Sequence, residues 1–131
     1  MHAEQSLREG RLQDALTELQ AQIRKEPANP KYRIFLFQLL AVLGQWERAL
    51  NQLNVVGEMD AASLPMVQTY REAIRCELLR AEVFAGRRSP LWFGDPQPWA
   101  ALLMEALRLT AAGQFGPARA AREQAFEGAT A

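Results

Sequence analysis

Side chains able to do acid–base, nucleophilic or metal chemistry are scarce in this 131-residue chain, which holds one histidine, His2, and one cysteine, Cys76. His2 stands beside the chain start, where segments are usually mobile, so no catalytic triad can be assembled around it. Cys76 lies between Arg75 and Glu77. A neighbouring guanidinium favours the thiolate that a nucleophile needs, but a free cysteine within a helix more often serves as a small buried apolar residue, and that is the expectation here. Metal binding would fall to carboxylates, yet the 3 Asp and 12 Glu are scattered over helix surfaces, without the clustering that hard or soft cations require. Gly113-Gln-Phe-Gly116 lacks the lysine and the length of a phosphate-cradling loop. The chain is therefore expected to be non-enzymatic, with no catalytic residue, cofactor or metal.

What remains is binding chemistry, and it is dominated by arginine, which supplies 13 of the 15 basic residues. The planar guanidinium is suited to bidentate pairing with carboxylates. Tyr70, Arg71 and Arg75 lie together on a long helical stretch, where the two arginines are four apart and share a face. Glu72 with Arg75 and Glu77 with Arg80 stand at the spacing of local ion pairs, so a merely solvated face is the competing reading. Further on, Arg87 and Arg88 precede Leu91-Trp92-Phe93. Exposed, that segment is a partner site; folded back, it is a hydrophobic plug.

Charge and composition exclude several other classes. Fifteen basic and fifteen acidic residues create no field to draw the protein onto nucleic acid or anionic membrane. The densest apolar run, Ile34 to Leu43, is half the length of a membrane span. A single cysteine excludes an internal disulfide and points to a reducing compartment. The first ten residues lack the basic start and apolar stretch of a secretory signal, so a cytoplasmic location is expected.

The elements that position these side chains follow from a repeat. Gly10-Arg-Leu12-Gln-Asp-Ala15-Leu16-Thr-Glu-Leu19 recurs as Gly44-Gln-Trp46-Glu-Arg-Ala49-Leu50-Asn-Gln-Leu53 at an offset of 34, with a weaker copy in Gly113-Gln-Phe115-Gly-Pro-Ala118. Such a period describes two antiparallel helices and their turn. Glycine permits the turn, the large residue two positions on caps the core, and the alanine lets the helices approach closely. Ala and Leu supply 40 residues against 12 for Val, Ile and Thr, which favours helix throughout.

Periodicity and cap signals predict helices over about Ala3–Glu9, Leu12–Lys25, Pro30–Leu43, Trp46–Val56 closed by Gly57, Leu64–Phe84 capped by Ser63 and ended by Gly86, Trp99–Ala112 initiated at Asp95-Pro96, and Phe115–Phe126. The third is apolar around nearly its whole circumference and should be central. The first helix of each pair lines the concave side of a stacked solenoid, which assigns Lys31, Ile34, Gln38 and Ala41 to a short groove suited to an amphipathic helix or extended peptide.

With Pro27 closing the first unit, these offsets resemble the tetratricopeptide repeat; Ala61 replaces the second closing proline. The stretches Leu36-Phe-Gln-Leu-Leu, Leu43 to Asn54, Pro65-Met-Val-Gln-Thr-Tyr-Arg-Glu-Ala-Ile-Arg-Cys-Glu77 and Val83 to Pro90 resemble the ImpE family, also called TagJ. That resemblance implies a non-enzymatic accessory protein of bacterial type VI secretion. It would bind the N-terminal helix of the small sheath subunit, TssB, and be linked indirectly to the sheath-recycling ATPase ClpV. The alternative is a generic tetratricopeptide-like scaffold for an unrelated peptide. The expected fold is all-α, with antiparallel helix pairs stacked as a short tetratricopeptide-like solenoid of about seven helices. It would form one domain over 1–131, with two units in 1–61 and the long helix, Pro-rich loop and divergent third pair in 62–131, and would be the front part of a longer protein.

Overall fold

The computed structural model describes residues 2–129. Seven α-helices occur among them: α1 His2–Arg8, α2 Leu12–Lys25, α3 Pro30–Val42, α4 Trp46–Met59, α5 Leu64–Phe84, α6 Pro98–Ala111 and α7 Phe115–Gly128, with one 3-10 turn, Ala61–Ser63, ahead of α5. The fold is all-helical, as the composition requires. Three boundary expectations need correction. Gly57 does not end α4 but lies inside it, where an added Cβ would stand in ordinary contact, 3.4 Å from a Val67 methyl. Asp60, not Ser63, makes the cap before α5: its carboxylate accepts from the Ala62 amide at 3.2 Å and from the Ser63 hydroxyl at 2.6 Å. Finally, α6 starts at Pro98 after Gln97 rather than at Asp95-Pro96, because Pro98 occupies the first helical turn, where its missing N–H costs nothing.

The repeat read from sequence is a repeat of backbone geometry. Gly10, Gly44 and Gly113 adopt φ of 75°, 72° and 76°. At each, the glycine N–H donates three residues back at 3.0 Å, and the next N–H donates five residues back at 2.8 to 2.9 Å. This pairing satisfies the carbonyls left open at a helix end. The following residues, Arg11, Gln45 and Gln114, share φ near −90° and ψ of 72°, 67° and 72°. They launch the next helix without any side-chain cap, so the turn depends on backbone alone.

Two compact units divide the chain, one up to Cys76 and one from Glu77. The division falls inside α5, whereas the sequence reading divides the chain at 61–62. In the first unit α1 packs on α2, α2 on α3 and α3 on α4. Its core holds Leu16, Leu19 and Ile23 of α2, Leu36, Phe37, Leu39 and Leu40 of α3, Leu53 and Val56 of α4, and Val67 and Ile74 of α5. Removing each such side chain from water contributes about 1.5–3 kcal/mol. Ala15 and Ala49 are completely buried, which is where the helices of each pair approach most closely. α3 is central, though not enclosed all round: Val42 is 68% exposed.

The second unit pairs α6 with α7 through small residues, Ala100, Ala106, Ala118 and Ala125. Here the expectation for the large residue two past the glycine fails. Phe115 is 67% exposed, because a seam built of alanines leaves no gap for a phenyl ring to fill. The end of α5 reaches α6 at Gly86 (φ 77°), where an added Cβ would lie 2.7 Å from the Ala111 Cβ.

Gly44 and Gly86 therefore differ in what alanine would meet. At Gly44 nothing lies within 4 Å, so Gly44→Ala should cost only the left-handed strain of about 1–2 kcal/mol. Gly86→Ala adds overlap with Ala111, about 1–3 kcal/mol more. Urea denaturation of Gly86→Ala with and without Ala111→Gly checks this: the second change should recover the excess and leave the strain.

Candidate partner-binding surfaces

On the first unit the outward face of α3 carries Lys31 and Gln38, both exposed, with Ile34 and Ala41 half-buried. Asn29 caps the helix by accepting the Lys31 amide at 3.1 Å. Val42 joins it through the same spacing, since 31, 38 and 42 differ by seven and four. The sequence reading counted Val42 among the enclosing apolar residues and missed that role; the helical position shared with Lys31 and Gln38 was the available signal.

The structure separates the residues that the sequence grouped on α5. Tyr70 leans on α3, its ring centroid 5.5 Å from that of Phe37 at a tilted angle of 52°, and stays 48% exposed. Tyr70 thus meets α3 through Phe37 of the core. Arg71 points to the other flank, where its Nε donates to Asn54 Oδ1 of α4 at 3.2 Å. Arg75 binds Glu72 at 2.6 Å with both side chains more than half exposed. A pair so open to solvent stabilises little, and either arginine remains available to an incoming carboxylate. Arg71 and Arg75 nevertheless lie on the α4 side of α5, away from Lys31, Ile34 and Gln38.

Cys76 is exposed, which corrects the expectation of a buried thiol: its position turns away from the side on which Val67 and Ile74 are buried. Among the described residues no group of three or more His, Cys, Asp or Glu is placed to hold a metal ion. No helix among them is long and apolar enough to cross a membrane.

In the second unit the segment after α5 is exposed rather than folded back. Leu91 is 77% and Phe93 98% accessible, while Trp92 keeps 41% and helps line a cleft of about 300 Å³ with Val83, Met104, Leu107, Arg88 and Arg108. Arg87 forks onto Glu82 with two bonds, Nε to Oε2 at 2.9 Å and Nη2 to Oε1 at 2.7 Å. Arg108 forks onto Glu105 in the same way, with its Nε bond at 3.0 Å. Arg88 lines the cleft and acts electrostatically on Glu82, adding to the lowering of its carboxyl. Arg108 escaped sequence reasoning because only packing of α6 against the end of α5 brings it there.

Helix pairs closed by left-handed glycines and seated on buried alanines define a helical repeat protein. The tetratricopeptide repeat pattern matches residues 6–74, and the chain belongs to that family. Along all 131 residues it is 61% identical to the type VI secretion system accessory component TagJ of Pseudomonas aeruginosa, of which it spans 47%. The chain thus covers about half the length of this curated relative.

The fork from Arg87 holds the Glu82 carboxyl below the ordinary glutamate value, chiefly by its hydrogen bonds. Because the folded value is depressed, the anchoring is complete above the unfolded value of about 4.3 and disappears as pH falls through the lower folded one. The Arg87 side-chain nitrogen resonance should therefore stay constant down to about pH 4 and move only below it. In Glu82→Gln it should sit at the released position at every pH.

Proposed function

We propose that the protein is a non-catalytic adaptor of bacterial type VI secretion, acting in the cytoplasm, that captures the N-terminal helix of the sheath subunit TssB and is thereby linked indirectly to ClpV-dependent sheath recycling. The observation that carries this reading is the 61% identity to TagJ along the whole chain. The α3 face carrying Lys31, Ile34, Gln38 and Val42, with Tyr70 packed on the same helix at Phe37, is consistent with a helical occupant. Ile34 and Val42, two turns apart, would be its apolar anchors with the polar Gln38 between them, an arrangement that can receive an amphipathic helix. Arg71 and Arg75 flank it on the α4 side and can steer an acidic partner without lining the groove.

If this is right, Ile34→Glu with Val42→Glu should weaken capture of a TssB N-terminal peptide at least about tenfold, or ~1.4 kcal/mol, with helical circular dichroism unchanged. Arg71→Glu with Arg75→Glu should cost less and mainly slow association. Undiminished binding by the α3 variant overturns the groove.

A second reading, a scaffold for an unrelated peptide through the second unit, is favoured by one observation: Arg88 and the half-open Trp92 line one cleft. Deleting residues 89–94, together with Arg87→Ala and Arg88→Ala, distinguishes them. Loss of TssB capture in that variant alone would transfer the site to the loop.

A further inference from the structure

The cleft of the second unit lies on the side of α6 that faces away from α7. Ala101, Met104, Glu105 and Arg108 line it and, at spacings of three and four, share one face of α6. α7 occupies the opposite face: Arg122 donates to the Thr110 hydroxyl at 3.3 Å, and a Cβ added at Gly128 would stand 3.9 Å from that of Trp99. In the repeat register a following helix packs on the second helix of a pair, as α3 packs on α2. Chain that follows α7 is thereby directed onto α7, with α6 between it and the cleft.

Charge and shape in the cleft call for a particular occupant. Arg87, Arg88 and Arg108 line it against one carboxylate, that of Glu105. Even with Glu82 counted, three guanidiniums share two carboxylates, because Glu82 is held in the Arg87 fork and Arg88 acts on it by charge alone. Both forks stand open to solvent, so they stabilise little and exchange readily. The remaining surface is apolar, with Val83, Met104 and Leu107 beside the half-open Trp92. An aromatic side chain suits it, since the indole offers a face for offset stacking and a thioether attracts a ring edge. At about 300 Å³ the cleft is at the lower end of ligand-site sizes, room for one anchor and not for a helix. Leu91 and Phe93, the chain neighbours of Trp92, are open to solvent and offer apolar contact to a segment crossing the mouth.

We propose that this cleft receives one aromatic side chain of an extended acidic peptide segment, whose carboxylate two residues from the anchor is taken by Arg88. Residues two apart in an extended chain point to the same side, which brings anchor and carboxylate to the protein together. The inference rests on the second reading above, that the second unit holds a peptide, and adds the chemistry by which the peptide is chosen.

The test uses the full chain and three synthetic peptides in a common Gly-Ser frame, centred on Glu-Ser-Phe-Ser-Glu, Lys-Ser-Phe-Ser-Lys and Glu-Ser-Ser-Ser-Glu. Their ends are acetylated and amidated, so terminal charges play no part, and a charge on each side of the anchor serves both chain directions. Fluorescence anisotropy should show the first binding at least about tenfold tighter than either of the others. Arg88→Glu should reverse the charge preference, and Arg88→Gln should remove most of it. Ala101→Leu, which enlarges a side chain on the cleft wall, should bring the Phe and Ser peptides to equal affinity. Arg88 and Ala101 are exposed, so these variants should keep native circular dichroism. Failure of all three peptides to bind, equal affinity for the acidic and basic peptides, or a preference that Arg88→Glu leaves intact overturns the proposal. Three equal affinities, all lost on deleting residues 89–94, would overturn it and leave the second reading in place.

Discussion

A helix end closed by a left-handed glycine is the constraint on which the rest of this protein depends. At Gly10, Gly44 and Gly113 the same two backbone bonds end one helix, and a residue with the same φ near −90° and ψ near 70° begins the next. Because no side chain caps the start, the direction of the second helix is set by backbone geometry that only glycine adopts cheaply. Five residues later an alanine with no exposed surface, Ala15, Ala49 or Ala118, fixes how near the two axes come. Turn and contact together define the pair, and every outward face is a consequence of that rotation.

The α3 face shows how this constraint leaves side chains exposed. With Leu36, Phe37, Leu39 and Leu40 committed to the core, Lys31, Gln38 and Val42 have nowhere to point but outward. Tyr70 closes one side by leaning on Phe37, while Arg71 is drawn to Asn54 on the opposite flank. Residues adjacent in sequence on α5 thus contact different helices, Tyr70 meeting α3 and Arg71 meeting α4.

The second unit uses the same turn for a different end. Its seam of alanines buries little and leaves phenylalanines and arginines outside, so most of its chemistry is available for contact. The segment holding Trp92 is pinned at its start by the Arg87 fork onto Glu82, which keeps Arg88 at the mouth of a cleft rather than free along the chain.

The helices, the repeat and the left-handed turns were determined by the sequence alone, because glycine conformation, alanine size and apolar spacing act within a few residues. Helix limits such as Leu12–Lys25 were readable for the same reason. Local signals misled where a residue had two possible uses: Gly57 can end a helix or admit a neighbour, Ser63 can accept or donate, and Cys76 can be buried or exposed. Only the tertiary structure decided between them, as it decided that Arg71 faces α4, that Val42 is outside and that Arg108 stands beside the Trp92 cleft. Each of those outcomes depends on which distant helix lies against a given face, and rotation about a helix axis is set by contacts far apart in the chain, which no local pattern encodes.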